Sequence, residues 1–131
     1  MAIQVTTQVP TVTQLTSLLA TSGLHRRQEP ERLAKMLANA DAMITAWDGD
    51  ALVGMVRALT DHADVLYVSD LAVAQAYWRQ GIGRQLLAGL AQVVEPDLNW
   101  VLLASPLAKD YYQHVGFTPH PRGFIKLAKT D

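Results

Sequence analysis

The stretch from Val65 to Ala104 restricts the fold more than any other part of the chain. VLYVSDLAV (65–73) reads as a long strand, and a polar loop with two glycines, WRQGIGR (78–84), follows it. Ile82, Leu86, Leu87, Leu90, Val93 and Val94 then recur at helical spacing, and Pro96 ends that pattern. WVLLA (100–104) is a short continuous apolar run, as expected for a strand covered on both faces. Strand, helix and strand in that order demand a crossover, with the helix laid on one face of a sheet.

Upstream the pattern changes. IQVTTQV (3–9) is β-branched and alternating, and Pro10 ends it. Thr11 or Thr13 can cap a helix whose Val12, Leu15, Leu18 and Leu19 share a face, with Gly23 as its stop. Pro30 opens a second helix that turns Leu33, Met36, Leu37 and Ala40 inward. Two apolar runs, 42–47 and 51–59, flank Asp48-Gly49, a hairpin signal. Downstream, 107–114 reads as a short helix and 117–127 as one or two closing strands interrupted by HPRG. The order is β-α-α-β-β-β-α-β-α-β. That is an α/β (α+β) chain with a mixed, mostly antiparallel sheet flanked by about four helices. With 131 residues, 50% hydrophobic and 18% charged, the chain suits a single domain over 1–131 with one core.

Composition excludes several kinds of function. A net charge of −1 gives no electrostatic footprint for a nucleic-acid backbone. The absence of cysteine removes disulfides, thiolate nucleophiles and Cys-rich zinc sites together, and fits a reducing compartment. His25, His62, His114 and His120 show no metal-ligand spacing, so no metal is expected. The N-terminal MAIQVTTQVP has neither the basic segment nor the apolar run of a secretion signal. No apolar stretch approaches the roughly 18–20 residues that span a bilayer. The expectation is a cytoplasmic protein with neither membrane nor nucleic acid as a partner.

A strand, a glycine-rich loop and a helix N-terminus together make an anion site, because free N–H groups and the helix dipole point the same way. Arg79 and Arg84 add charge to it. The plainer alternative is a glycine turn that only lets helix and strand pack closely. Two nucleotide sites fail on detail. A Walker A loop needs Gly-Lys-Ser/Thr, and Gly83 is followed by Arg84-Gln85. The dinucleotide fingerprint wants a small residue where Leu86 stands and an acidic residue about 20 positions on. A phosphate-bearing ligand other than ATP or NAD remains.

DLAVAQAYWRQGIGRQLL (70–87) resembles the signature of the GNAT superfamily of N-acetyltransferases. Its members cradle the pyrophosphate of acetyl-CoA in a Q/R-x-x-G-x-G/A loop after their fourth strand. Gly81 and Gly83 match, and Trp78 takes the place of the usual Gln or Arg. SPLAKDYYQHVGF (105–117) is similar to the second signature, an N-x-x-A-x-x-x-Y helix leading into Gly-Phe. There Ala108, Tyr112, Gly116 and Phe117 match, and Ser105 stands where Asn is common. The element order agrees with the GNAT fold.

The resemblance implies direct transfer of an acetyl group from acetyl-CoA, as co-substrate, to a small-molecule amine or a protein amino group. It implies pyrophosphate binding by the loop Arg79, Gln80, Gly81, Ile82, Gly83 and Arg84, with Ser105 nearby. Main-chain groups of Leu71, Ala72 and Val73 would pair with the pantetheine arm like an added strand. Tyr112 would protonate the departing thiolate, since a phenol of pKa about 10 is protonated at neutral pH. Tyr111 points about 100° away on a helix, so only one of the two is expected to face the cofactor.

Asp70 is an acid in an otherwise apolar strand, on the face opposite Leu71 and Val73. It reads as a base, directly or through water, or as a group bonding nearby backbone N–H. In this fold the region between the first two helices often walls the acceptor site, where Arg26 and Arg27 could meet a carboxylate. A homodimer is compatible with the exposed late strands of the fold. Two other readings stay open: a CoA-binding sensor without turnover, and a structural domain without ligand.

Overall fold

The computed structural model describes residues 2–24 and 29–129. Its elements are β1 (Gln4–Thr6), α1 (Val12–Ser22), α2 (Pro30–Ala38), β2 (Ala42–Asp48), β3 (Ala51–Thr60), β4 (Val65–Val73), α3 (Ile82–Val93), β5 (Asn99–Leu102) and α4 (Lys109–His114). Short 3-10 turns, Gln75–Tyr77 and Pro106–Ala108, precede α3 and α4. The strands lie in the order β1-β2-β3-β4-β5. Neighbours are antiparallel except β4 and β5, which the α3 crossover makes parallel. Among the described residues no helix is long and apolar enough to cross a membrane.

Local signals explain the boundaries. Thr11 caps α1 reciprocally: its Oγ1 accepts the Gln14 N–H at 3.1 Å, and Gln14 Oε1 accepts the Thr11 N–H at 2.8 Å. Gly23, at φ 79°, takes the left-handed position that ends the helix. On one face of the sheet α3 sets Ile82, Leu86 and Leu90 against Ile44, Val56, Leu66 and Val68. On the other, α1 and α2 set Leu15, Leu18 and Leu33 against Met43, Trp47, Met55 and Ala72.

One irregularity shapes β4. Ala58 pairs with Val68 and Arg57 with Asp70, so Ser69 is one extra residue of β4 between two successive pairs. Such a bulge inverts the side-chain alternation beyond it. Leu66 and Val68 therefore lie under α3, whereas Ala72, of the same parity, belongs to the α1/α2 cluster. Leu71 and Val73, on the face opposite Ala72, turn toward α3 instead.

The last strand of the expected order does not form. Residues 117–129 contain no strand, and β5 is left as the sheet edge. Phe124, Ile125 and Leu127 are 93%, 61% and 77% exposed. Strand propensity marks a segment that suits a sheet, but a strand exists only where a neighbour accepts its hydrogen bonds. Pro119 and Pro121 lack N–H groups, and a turn at His120–Gly123 interrupts the run.

Candidate active site

β4 and β5 pair only from Val65 to Val68 against Asn99 to Leu102. Past the bulge, β4 continues to Val73 along β3 alone, while β5 has ended. The strands part, and the wedge between them opens a cavity of about 470 Å³, within the rough 300–1,000 Å³ range of small-molecule sites. Leu71 and Val73 line it from the strand, and Arg79, Gly81, Ile82, Gly83 and Arg84 from the loop and the start of α3. Ser105, Ala108, Tyr111 and Tyr112 close one side. Ser22, Gly23 and Leu24 at the end of α1, with Tyr77 and Trp78, close the other.

At the start of α3, Arg79 and Gly81 both have left-handed backbone, at φ 66° and 80°. Gly81 is the N-cap and offers no side-chain cap. The first helical bond runs from the Gln85 N–H to the Gly81 carbonyl, at 3.1 Å. The N–H groups of Ile82, Gly83 and Arg84 lie ahead of it and are the orphan donors of the helix, at the positive end of its dipole. Arg79 and Arg84 stand beside them on the cavity wall. This is the geometry of an anion site.

Gly83 has a second reason to be glycine. A Cβ there would lie 2.5 Å from the Tyr111 hydroxyl. That hydroxyl is buried and has no hydrogen-bond partner among the described residues. Tyr111 meets Tyr112 edge-on at 5.4 Å, and Tyr112 meets Phe117 edge-on at 5.6 Å. Both tyrosines line the cavity, although side chains of adjacent helical residues leave the helix about 100° apart. The cavity bends round the helix far enough to touch both. Burial raises the Tyr111 phenol, with Arg84 opposing. Burial, and secondarily Tyr111, push Tyr112 up to about 12. Tyr112 is therefore a protonated donor at neutral pH.

Asp70 lies off the cavity wall, on the α1/α2 side, and is 2% exposed. Its Oδ2 accepts the Arg57 Nε–H at 2.6 Å, and Arg57 Nη2 donates to Ser69 Oγ at 2.8 Å. Arg57 thus ties β3 to the bulged residues of β4. Arg57 was visible in the sequence as a lone charge inside the apolar run 51–59, but the bulge hid its register against Asp70. Ala72 shares that side, and Gln80 is exposed; neither lines the cavity. Arg26 and Arg27 lie outside the described residues. Among the described residues no cluster of three or more metal-capable side chains occurs.

Sequence reasoning missed the wall formed by the end of α1 with Tyr77 and the Trp78 ring. Tyr77 donates its hydroxyl to Asp48 Oδ2 at 2.5 Å, fixing the 3-10 turn to the end of β2. Trp78 donates its indole N–H to the Val73 carbonyl at 2.6 Å. Its ring also stands next to Gly23, where a Cβ would lie 3.9 Å from the indole. Two adjacent aromatics in a polar loop were the available signal.

Residues 12–126 match the family model of an acetyltransferase (GNAT) domain. Among curated proteins, "GCN5-related N-acetyltransferase 2, chloroplastic" from Arabidopsis thaliana is 36% identical over 74 residues, covering 55% of this chain and 29% of that protein. The chain thus spans less than a third of that relative's length. A probable acetyltransferase from meticillin-resistant Staphylococcus aureus superposes with a TM-score of 0.86 at 26% identity, over 98% of this chain and all of the other. An aminoglycoside N-acetyltransferase solved with CoA has a TM-score of 0.71 over 98% of this chain and 96% of its own; at 14% identity this likeness concerns the fold alone.

Proposed function

The chain belongs to the GNAT acetyltransferase family, and from that premise we propose that it binds acetyl-CoA in the wedge between β4 and β5 and acetylates a primary amine. The observation that carries the reading is that one cavity is lined by both the uncapped start of α3 and Tyr112. Bound acetyl-CoA would supply the acetyl group as a thioester, which the amine attacks directly, displacing the thiol.

The roles of the chain's own groups follow from their places. Orphan N–H groups of Ile82, Gly83 and Arg84, with Arg79, hold the pyrophosphate. The edge of β4 at Leu71 to Val73, where β5 no longer pairs and the Val73 carbonyl is held by the Trp78 indole, orients the pantetheine arm and polarises the thioester carbonyl. Tyr112 donates a proton to the leaving sulfur. The amine proton leaves through water. Asp70 can receive it only by that route, because its carboxylate lies off the cavity wall and against Arg57. The acceptor is a small-molecule amine or a protein amino group reaching the cavity past the end of α1.

Two measurements test this together. Acetyl-CoA should raise the melting temperature, as any ligand of the native state does, and thiol release should follow when a panel of amines is added. Tyr112→Phe should keep the thermal shift while lowering turnover about 100-fold, the lower end for loss of a general acid. A melting temperature unmoved at millimolar acetyl-CoA overturns the binding site. Unaltered turnover in the variant removes Tyr112 from the chemistry.

A further inference from the structure

Past the bulge, the ladder between β3 and β4 fixes which main-chain groups face the wedge. The Ala74 N–H donates to the Val53 carbonyl at 2.9 Å, in the same register that pairs Val73 with Gly54. Antiparallel strands alternate bonded and non-bonded pairs. Val73, and Leu71 two residues before it, therefore turn their N–H and C=O groups away from β3, toward the cavity that both residues line. A ligand laid along β4 as an added strand meets these two residues.

One of the two carbonyls is taken by the chain itself. The Trp78 indole N–H donates to the Val73 carbonyl at 2.6 Å. A tight turn brings the ring back over the strand: the Tyr77 N–H donates to the Ala74 carbonyl at 2.8 Å, and the Trp78 N–H to the Gln75 carbonyl at 3.1 Å. The Tyr77 hydroxyl ties this turn to Asp48. The backbone at Trp78 is thus held, whereas its half-exposed ring faces Gly23, which has no side chain to pin it. Rotation about the side-chain torsions alone releases the carbonyl, with no change in the fold.

We propose that Trp78 is a specificity determinant for the pantetheine arm: its indole N–H stands in for an amide donor at the Val73 carbonyl and yields that carbonyl to one when acetyl-CoA binds. The inference rests on the proposed binding of acetyl-CoA in this wedge. An indole and a secondary amide each offer one N–H, so the exchange leaves no buried acceptor unmet. Until it happens, the indole opposes entry of the arm, and the edge binds more weakly than an open one. A nucleoside diphosphate has phosphates for the start of α3 but no amide arm to take over the carbonyl. Trp78 then stays in place.

Two measurements on the full chain test this. Trp78→Phe keeps a ring but loses the donor. It should lower the melting temperature of the unliganded protein by about 4 °C and yet tighten acetyl-CoA about five-fold, the equivalent of one net hydrogen bond. A side chain that only supports the fold would weaken both. In the unsubstituted protein, NMR follows the indole N–H of Trp78, identified among the three tryptophans by its loss in the variant. Its exchange with water should be slow, should speed up with acetyl-CoA, and should stay slow with saturating ADP. A melting temperature unmoved by acetyl-CoA overturns the binding site and this inference together. If acetyl-CoA raises the melting temperature, the role of Trp78 alone is overturned by an indole N–H that stays protected, by release with ADP, or by a variant that binds no more tightly.

Discussion

The two halves of β4 differ in their neighbours. From Val65 to Val68 the strand has β3 on one side and β5 on the other; from Asp70 to Val73 it has β3 on one side and the cavity on the other. One extra residue, Ser69, separates them. The first half is ordinary sheet with Leu66 and Val68 under α3. The second half has exchanged its faces, lost a neighbouring strand and gained a buried ion pair. A bulge thus converts scaffold into site without any break in secondary structure. The ion pair sits where the sheet is weakened, tying β4 to the one strand it still has.

The sharpest way to break that contrast is Arg57→Ala. It strands a buried carboxylate, which typically costs about 3–5 kcal/mol, and denaturant unfolding should register it. Replacing both partners, Arg57→Met with Asp70→Leu, should return most of that stability. If the pair shapes the wedge, turnover in this double variant stays low although the fold has recovered; full activity would show that the pair serves stability alone.

Gly83→Ala comes next. The new methyl meets the Tyr111 hydroxyl, and overpacking of this kind costs about 1–3 kcal/mol together with acetyl-CoA affinity. Tyr111→Phe in the same chain should relieve both losses. A failure to relieve them would assign the Gly83 requirement to the ligand side of the loop.

Alkaline unfolding probes the neighbouring Tyr112. Tyr112 titrates near 10 when unfolded and at about 12 when folded. Between those values only the unfolded chain releases the proton, so stability present below pH 10 is lost as pH rises toward 12. In Tyr112→Phe that part of the decline should vanish, measured as melting temperature against pH. The smallest expected effect is that of Tyr111→Phe alone. It removes a buried hydroxyl that has no partner among the described residues and should stabilise the unliganded protein by about 1 kcal/mol.

Much of this was legible in the residues. Periodicity located α1, α2, α3 and the strands, because each buries one face against a sheet that accepts it. The glycine loop and the Tyr112 helix were readable through their motifs, and eight of the ten positions assigned to the cofactor border the cavity. The bulge was not readable. Burial along β4 alternates without interruption from Leu66 to Ala72, so the pattern is the same whether the buried side chains meet one helix layer or two. Only pairing with β3 reveals the exchange, and with it the Arg57 partner of Asp70. The closing strand failed for a related reason: FIKLA reads as a strand by composition, but composition carries no information about whether a neighbouring strand accepts its hydrogen bonds.

The indole of Trp78 has a practical consequence. Of the three tryptophans, Trp47 is 5% exposed, Trp100 is half-buried in the α3 cluster, and Trp78 alone borders the cavity, at 44% exposure. Its emission is the one that responds when water in the wedge gives way to an organic ligand. The molecule carries its own optical gauge, and occupancy can be followed by intrinsic fluorescence with no label, no chromogenic amine and no catalytic turnover.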